Sequence, residues 1–204
     1  MISERVARKG HFYAIGVGPG SPDLITLRAL SLLQSCDVVI APRSEVSASS
    51  LALDIVRRHL SGQEVRERVY PMTRFSKATQ AGWGEEAVEA ATRSRGGLAV
   101  ALITLGDPLV YSTSSYMLPV ISAEIGADKV EVVPGITAFQ AAAARFQMPL
   151  SLQEDRVTLM TADDPKAVEA ALDSCETLIL YKIGKHLPSL VEMLKRRGLL
   201  DSAR

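Results

Sequence analysis

The sequence predicts an α/β protein of two domains with mostly parallel sheets. Six short runs rich in Val, Ile, Leu or Thr alternate with longer amphipathic stretches, which is typical of strand–helix units. The strand-like runs are almost continuously apolar, as expected for sheets that are covered on both faces. The chain has 204 residues, of which 47% are hydrophobic and 23% charged, and this is enough to bury a substantial core.

The strands are predicted from their short length, their apolar residues and the turn residues that bound them. In chain order they read FYAIGV, DVVIA, LAVALITL, VEVVP, RVTLMTA and TLILYK. Helices are predicted where apolar residues recur with helical spacing. They cover residues 26–35, 47–60, 77–95, 112–125, 137–146, 165–172 and 187–197.

Two connections bear on the domain organisation. Residues 64–76 follow neither period and contain three arginines, so we predict an irregular segment there. Further on, Pro119 interrupts a helical pattern that Gly126 ends. We therefore expect the domain boundary at this point, with an N-terminal domain of residues 1–118 and a C-terminal domain of residues 119–204.

Composition excludes several classes of function. The 23 basic and 23 acidic residues cancel, which argues against a nucleic-acid partner held by bulk charge. No apolar run is long enough to span a membrane, and the start MISERVARKGH is charged. The two cysteines are far apart and the three histidines are not clustered, so we expect reduced thiols and no metal site. We expect a cytoplasmic protein without a membrane partner.

A glycine-rich loop follows the first predicted strand, in FYAIGVGPGSPDLITLRAL. Its glycines, Gly16, Gly18 and Gly20, are spaced G-x-G-x-G with Pro19 among them, whereas a dinucleotide-binding loop reads G-x-G-x-x-G. Proline has no N–H to offer a pyrophosphate. The acidic residue expected at the end of the second strand is also missing, because Asp37 precedes that strand. The pattern therefore disfavours a nicotinamide cofactor.

Two later turns have the same form. In LITLGDPLVYSTSSY a strand ends in Gly-Asp-Pro, and Ser112 or Thr113 opens a helix. In VEVVPGITAFQAAAARF a strand ends in Pro-Gly, and Thr137 precedes a helix of small residues. Taken singly, both are ordinary turns followed by helix caps. However, ligands of open α/β sheets bind beyond the carboxyl ends of the strands, where these turns would lie.

In this order, the three turns resemble those of the tetrapyrrole methyltransferase family, and the resemblance runs from about Tyr13 to Arg197. It implies a two-domain tetrapyrrole methylase fold, a cleft between the domains that holds S-adenosylmethionine, and a homodimer. It also implies that relatives continue beyond the final RRGLLDSAR, so we expect a C-terminal domain that is truncated here.

The resemblance assigns site residues by position. It implies cofactor contacts at Pro19, Leu105, Gly106, Asp107, Val110, Thr137, Ala138, Tyr181 and Lys182. We expect the tetrapyrrole, which carries eight carboxylates, at Gly18, Arg43, Arg74, Ser112 and Thr113. For the loss of a proton from the methylated carbon, Asp107 and Tyr111 are the candidate catalytic residues, with water or the macrocycle's own nitrogens as alternatives.

Within the family, GDPLVYSTSSY and LILYKIGKH resemble the members that methylate carbon 20 of precorrin-2 or of its cobalt-containing counterpart, cobalt-factor II, in cobalamin biosynthesis. The sequence leaves the choice between the two substrates open. Three alternatives also stay open: methylation of another ring carbon, a methyltransferase for protein or RNA, and a non-catalytic module that binds S-adenosylmethionine.

Overall fold

A computed structural model describes residues 6–45, 47–70 and 77–204. It confirms the α/β class, and the chain divides into two compact units, Met1–Ala138 and Phe139–Arg204. Among the described residues, the structure contains no helix that combines the length and the apolar character needed to cross a membrane.

The described residues of the first unit form a parallel sheet of five strands. These are β1 (Phe12–Gly16), β2 (Val38–Ser44), β3 (Glu64–Tyr70), β4 (Val100–Thr104) and β5 (Val130–Val133). Their spatial order is β3-β2-β4-β1-β5, and every pairing is parallel. Since parallel strands run the same way, the turns after β1, β4 and β5 lie next to one another at one edge of the sheet.

In the described part of this unit, four helices cover the two faces of the sheet. They are α1 (Leu27–Ser35), α2 (Leu51–Val56), α3 (Lys77–Arg95) and α4 (Ser114–Ile125). Alternate strand residues point to opposite faces, so Tyr13 and Val39 pack with α1 and α2, while Phe12 and Ile40 pack with α3 and α4. Each large side chain buried in this way contributes about 1.5–3 kcal/mol relative to its exposed state.

Two contacts stabilise local structure in this unit. The hydroxyl of Thr26 accepts a hydrogen bond from the backbone N–H of Ala29 and thereby caps α1. Trp83 packs in the core at 7% exposure and stacks on Tyr116, with ring centroids 4.6 Å apart. The indole is therefore part of the packing between α3 and α4.

Strand β3 corrects the prediction of an irregular segment at residues 64–76, because residues 64–70 form an edge strand. Its arginines are strand residues that pair with acidic side chains of α3: Arg66 and Arg68 both reach Glu89, and Arg68 lies 2.8 Å from Glu86. Charged residues stand on the face of β3 towards α3, where apolar residues are usual. The pattern of apolar residues along the sequence therefore did not reveal the strand. Residues 71–76 lie outside the described residues.

The predicted domain boundary at 118/119 falls inside α4, and the first unit extends to Ala138. Pro119 is accommodated within that helix, which continues to Ile125 and ends at Gly126 with φ +93°. Strand β5 then pairs with β1, so it belongs to the first sheet although it follows the expected boundary.

The second unit contains two parallel strands, β6 (Val157–Thr161) and β7 (Thr177–Tyr181), and the helices α6 (Pro165–Ala171) and α7 (Leu187–Arg196). Helix α5 (Ala138–Phe146) precedes them and begins at the last residue of the first unit. A small core of Ala162, Val168, Leu190 and Met193 holds the unit together. Helix α6 has Pro165 in its first turn and is capped by Asp164, which accepts hydrogen bonds from two backbone N–H groups.

Candidate functional site

Three glycines from different strand ends meet at the carboxyl edge of the first sheet. They are Gly16 at the end of β1, Gly106 after β4 and Gly135 after β5. A Cβ added to Gly16 would lie 2.6 Å from the carbonyl oxygen of Gly106 and 2.6 Å from the backbone nitrogen of Gly135. These distances are too short for any side chain, so only glycine permits the three turns to pack backbone against backbone.

The first and second turns are also joined by hydrogen bonds. The N–H of Gly106 donates to the carbonyl of Gly18 at 2.7 Å, and the N–H of Gly18 donates to the carbonyl of Gly106 at 3.4 Å. Gly18 has φ +85° and its α-carbon faces the carbonyl of Leu24, which a Cβ would approach to 2.8 Å. The conformation of this turn therefore requires glycine, and it sets the position of the neighbouring Pro19.

Asp107 connects the second turn to the third. Its Oδ1 accepts a hydrogen bond from the N–H of Leu109 at 2.8 Å, and its Oδ2 accepts one from the N–H of Gly135 at 3.1 Å. Each carboxylate oxygen thus binds a backbone amide, one within its own turn and one across to the turn after β5. This arrangement supports a positioning role for Asp107.

The residues predicted to contact the cofactor in the first unit surround these turns. Leu105 is 44% exposed, Thr137 is 7% exposed, and Ala138 is an exposed residue at the start of α5. Pro19 and Val110 are partly buried. Backbone amides, small residues and apolar side chains are together here, which suits a ligand with a flat ring and polar edges. The residues present therefore fit S-adenosylmethionine.

Tyr181 and Lys182, the remaining predicted cofactor contacts, belong to the second unit. Tyr181 ends β7, and its ring meets that of Phe139 edge-on at 6.5 Å. Lys182 is exposed and follows with φ +58°, a conformation that is uncommon for residues other than glycine. Such a backbone outlier directly after a strand is a feature of functional turns.

A cavity of about 220 Å³ lies beyond the ends of β2 and β4 and gathers three of the predicted substrate residues. Arg43, Ser112 and Thr113 line it together with Leu105 of the Gly-Asp-Pro turn. Its other lining residues are mainly hydroxyl-bearing: Ser44, Ser47, Ser49, Thr104 and Ser114, with Pro42, Leu51, Ala52 and Ile103. Of the remaining predicted substrate residues, Gly18 lies in the first turn and Arg74 lies outside the described residues.

Arg43 lies within β2, which extends beyond the predicted strand DVVIA to Ser44, and it pairs with Val69 of β3. Strand β2 is longer than predicted because β3 continues beside it to Tyr70. The guanidinium Nη1 donates to the carbonyl of Ser47, and Nε lies 3.9 Å from a carboxylate oxygen of Glu67. The side chain is 25% exposed, so its orientation beside the cavity is held by the protein.

A chain of hydroxyl groups forms one wall of the cavity. Thr104 Oγ1 and Ser112 Oγ are 2.9 Å apart, and Ser112 Oγ donates to Ser114 Oγ at 3.1 Å. Ser112 Oγ also accepts the N–H of Ser114 at 3.2 Å, which orders the start of α4. Ser112 therefore orders the turn before α4 and also lines the cavity.

Several residues of the site were missed by the sequence reasoning. Gly16 and Gly135 were seen only as turn glycines, and their mutual contact depends on strand order. Ser44, Ser47 and Ser114 were not singled out, although the repeated serines in STSSY were a usable signal. Within the described ranges, no group of three or more His, Cys, Asp or Glu residues is arranged to hold a metal ion.

Comparison with known proteins agrees with this geometry. The family described as Tetrapyrrole (Corrin/Porphyrin) Methylases matches residues 11–203. The cobalt-precorrin-2 C(20)-methyltransferase of Salmonella typhimurium is 37% identical over 196 residues, which cover 95% of this chain and 81% of that protein. A probable cobalt-precorrin-2 C(20)-methyltransferase of Methanocaldococcus jannaschii is 32% identical, covering 91% of this chain and 77% of that protein.

Among solved structures, a cobalt precorrin-4 methyltransferase superposes with a TM-score of 0.69 at 27% identity, covering 93% of this chain and 75% of that one. A uroporphyrin-III C-methyltransferase from Thermus thermophilus, solved with S-adenosyl homocysteine, shares the fold at a TM-score of 0.60 and 21% identity, covering 92% and 77%.

Proposed function

Because the chain belongs to the tetrapyrrole (corrin/porphyrin) methylase family, we propose that it transfers a methyl group from S-adenosylmethionine to carbon 20 of cobalt-precorrin-2 in cobalamin biosynthesis. The observation that carries this proposal is the similarity, across nearly the whole chain, to relatives named for that reaction. Both names specify the cobalt-containing substrate, and they favour it over metal-free precorrin-2.

The convergence of the three glycine turns supports the choice of cofactor. Backbone contacts among Gly16, Gly106 and Gly135 hold the predicted contact residues on either side, Leu105 and Thr137, in fixed positions. S-adenosylmethionine supplies an already activated methyl group when it is bound. The principal task of the chain is therefore to hold acceptor and donor in line, and well-oriented reactants gain effective molarities on the order of 10⁵–10⁸ M.

We propose that Asp107 positions the turns and is not the base that removes the proton from carbon 20. Both of its oxygens accept backbone N–H groups, so proton uptake would weaken contacts that join two turns. Tyr111 is the remaining candidate among the predicted catalytic residues. It is 40% exposed, and its φ of +49° turns the chain sharply between the Gly-Asp-Pro turn and α4. Proton transfer by a positioned side chain contributes roughly a hundredfold or more.

Two properties of the whole protein complete the proposal. We propose that it acts as a homodimer, which sedimentation equilibrium would test by the mass of the particle in solution. We also propose that it works in the cytoplasm, and the two free cysteines, Cys36 and Cys175, support a reducing compartment.

The test is an anaerobic reaction with S-adenosylmethionine carrying a ¹³C-labelled methyl group, and with either cobalt-precorrin-2 or metal-free precorrin-2. Mass spectrometry counts the methyl groups added, and ¹³C NMR identifies the carbon that receives them. We expect one methyl group at carbon 20 of the cobalt-containing substrate, and a lower rate for Tyr111→Phe. A methyl group on another carbon, or none from protein whose Trp83 fluorescence shows it to be folded, would contradict the proposal.

A further inference from the structure

The cavity beyond the ends of β2 and β4 has a chemistry of its own. We propose that it is a carboxylate subsite, which takes one acetate or propionate arm of the macrocycle. The inference rests on the proposed function, because only a polycarboxylate substrate supplies such an arm.

The volume of the cavity limits what can enter. At about 220 Å³ it is smaller than the roughly 300–1,000 Å³ of pockets that enclose a complete small molecule. It is nevertheless several times the roughly 30 Å³ share of one water molecule. The pocket therefore has room for a side arm of a ligand and not for a whole macrocycle.

Arg43 supplies the charge. Among the described residues, the carboxylate within ion-pair distance of Arg43 is that of Glu67, 3.9 Å from Nε and too far for a hydrogen bond. Arg28 shows the contrast, because its guanidinium holds both carboxylate oxygens of Glu131 at 2.7–3.0 Å. Arg43 thus lines the cavity without a protein carboxylate hydrogen-bonded to its guanidinium. One hydrogen bond from Nη1 goes to the carbonyl of Ser47, and a carboxylate ligand would bind the remaining N–H groups.

The hydroxyl groups supply further donors. Thr104, Ser112 and Ser114 have three hydroxyl protons, and two hydrogen bonds join them, so one proton is left to donate elsewhere. Ser44 and Ser47 share one hydrogen bond at 2.7 Å between two hydroxyl groups, which leaves a second proton. A carboxylate only accepts hydrogen bonds, so it complements a wall with surplus donors.

The direction of α4 favours the same occupant. Thr113 is the N-cap of this twelve-residue helix and Ser114 its first residue, and both line the cavity. The N-terminus of a helix carries a partial positive charge that stabilises an anion. Charge, hydroxyl donors and helix orientation agree on an anionic group at this point, beside Leu105 of the predicted cofactor turn.

The test compares Arg43→Gln with Arg57→Gln as a matched control. Arg57 also lies 3.9 Å from a carboxylate oxygen of Glu67, but it does not line the cavity and its side chain is 59% exposed. The two changes remove the same charge near the same glutamate. Binding is measured for uroporphyrin III, a stable octacarboxylate, by its fluorescence, and for S-adenosylhomocysteine by calorimetry. Trp83 fluorescence verifies that each variant is folded.

We expect Arg43→Gln to raise the Kd of uroporphyrin III about tenfold or more, as is typical for the loss of a hydrogen-bonded charge. Arg57→Gln should change it by less than about twofold, and the Kd of S-adenosylhomocysteine should stay the same in both variants. Ser44→Ala is a small change that removes one of the surplus hydrogen-bond donors, and it should weaken uroporphyrin binding a few-fold. This variant tests the subsite independently if Arg43→Gln does not fold.

The outcomes separate the possible sources of the carboxylate. If Arg43→Gln weakens the binding of S-adenosylhomocysteine but leaves methylthioadenosine, which lacks the amino-acid carboxylate, unaffected, the pocket binds the carboxylate of the cofactor and the assignment to a macrocycle arm is overturned. Equal effects of Arg43→Gln and Arg57→Gln, or no effect of Arg43→Gln and Ser44→Ala on either ligand, would overturn the subsite. Because uroporphyrin binding requires no turnover, the subsite can stand even if the wild-type protein methylates nothing, and that result would count against the proposed function alone.

Discussion

Replacing Gly16 by alanine tests whether the three turns require backbone-to-backbone contact. The new Cβ would meet three backbone atoms: the carbonyl oxygen of Gly106 at 2.6 Å, and the nitrogen and α-carbon of Gly135 at 2.6 and 2.8 Å. None of these belongs to a flexible side chain, so the strand ends must separate by several tenths of an ångström. Overpacking of this kind costs about 1–3 kcal/mol, and the rigid partners favour the upper end.

Urea unfolding followed by tryptophan fluorescence measures this cost. Trp83 is the single tryptophan of the chain and lies in the core of the first unit, so its signal reports that unit. With a urea m-value of roughly 2–3 kcal/mol per M, a loss of about 3 kcal/mol lowers the midpoint by about 1 M. The affinity for S-adenosylhomocysteine should fall as well, because the turns that carry the predicted contacts are displaced.

The matched control is Gly84→Ala on α3. A Cβ at Gly84 meets nothing within 4 Å, and alanine in a helix interior is favoured over glycine by about 0.5–1 kcal/mol. Both substitutions add one methyl group, but Gly16→Ala should lower the free energy of unfolding and Gly84→Ala should raise it. A Gly16→Ala variant with the midpoint of the wild type would refute the reasoning, because the turns would then have space that the geometry denies.

Three further predictions concern single contacts. Asp107→Ala removes the acceptor of the Gly135 N–H and should raise the Kd of S-adenosylhomocysteine about tenfold. The rate of methyl transfer at saturating cofactor should keep the pH profile of the wild type. A changed pH profile with an unchanged Kd would instead identify Asp107 as the base. Burial raises the pKa of the Cys36 thiol from 9.0 to about 12, so the thiol ionises in the unfolded chain at a lower pH than in the folded protein. The free energy of unfolding should therefore fall by about 1.4 kcal/mol per pH unit between about pH 9 and pH 12. Cys36→Ala should lack this slope when unfolding by urea is measured as a function of pH. A double-mutant cycle on Arg28 and Glu131 should give a coupling of about 1 kcal/mol that decreases with added salt, and a coupling near zero would contradict the bidentate pair.

The fold was largely predictable because, in most helices and strands, the apolar residues recur at the spacing expected for the face that is buried. Helix α3 has the predicted bounds, and the ends of most other elements shift by only a few residues. Strand β3 was missed because Arg66 and Arg68 face acidic residues of α3 in place of apolar ones. The boundary was misplaced because Pro119 indicated a break, whereas α4 tolerates a proline at that position.

The sequence predicted the individual turns of the site, but not how these turns contact one another. Each glycine motif indicated a turn at a strand end, and parallel strands place such turns at one edge. The contact among Gly16, Gly106 and Gly135 depends on β1 lying between β4 and β5, which no local pattern encodes. The cavity beside Arg43 likewise depends on how far β2 extends, and that length is set by its pairing with β3.

The position of β1 between β4 and β5 also has a consequence for biosynthesis of the protein. Gly16 leaves the ribosome early, but its two contact partners follow much later in the chain, and the last of them is Gly135. At typical synthesis rates this interval is on the order of ten seconds. Until β4 is completed at Thr104, β1 is an apolar segment without either neighbour, and its exposed surface favours aggregation unless it is shielded, for example by packing against α1. The same arrangement that excludes side chains from the mature turns therefore delays their assembly until most of the first unit has been made.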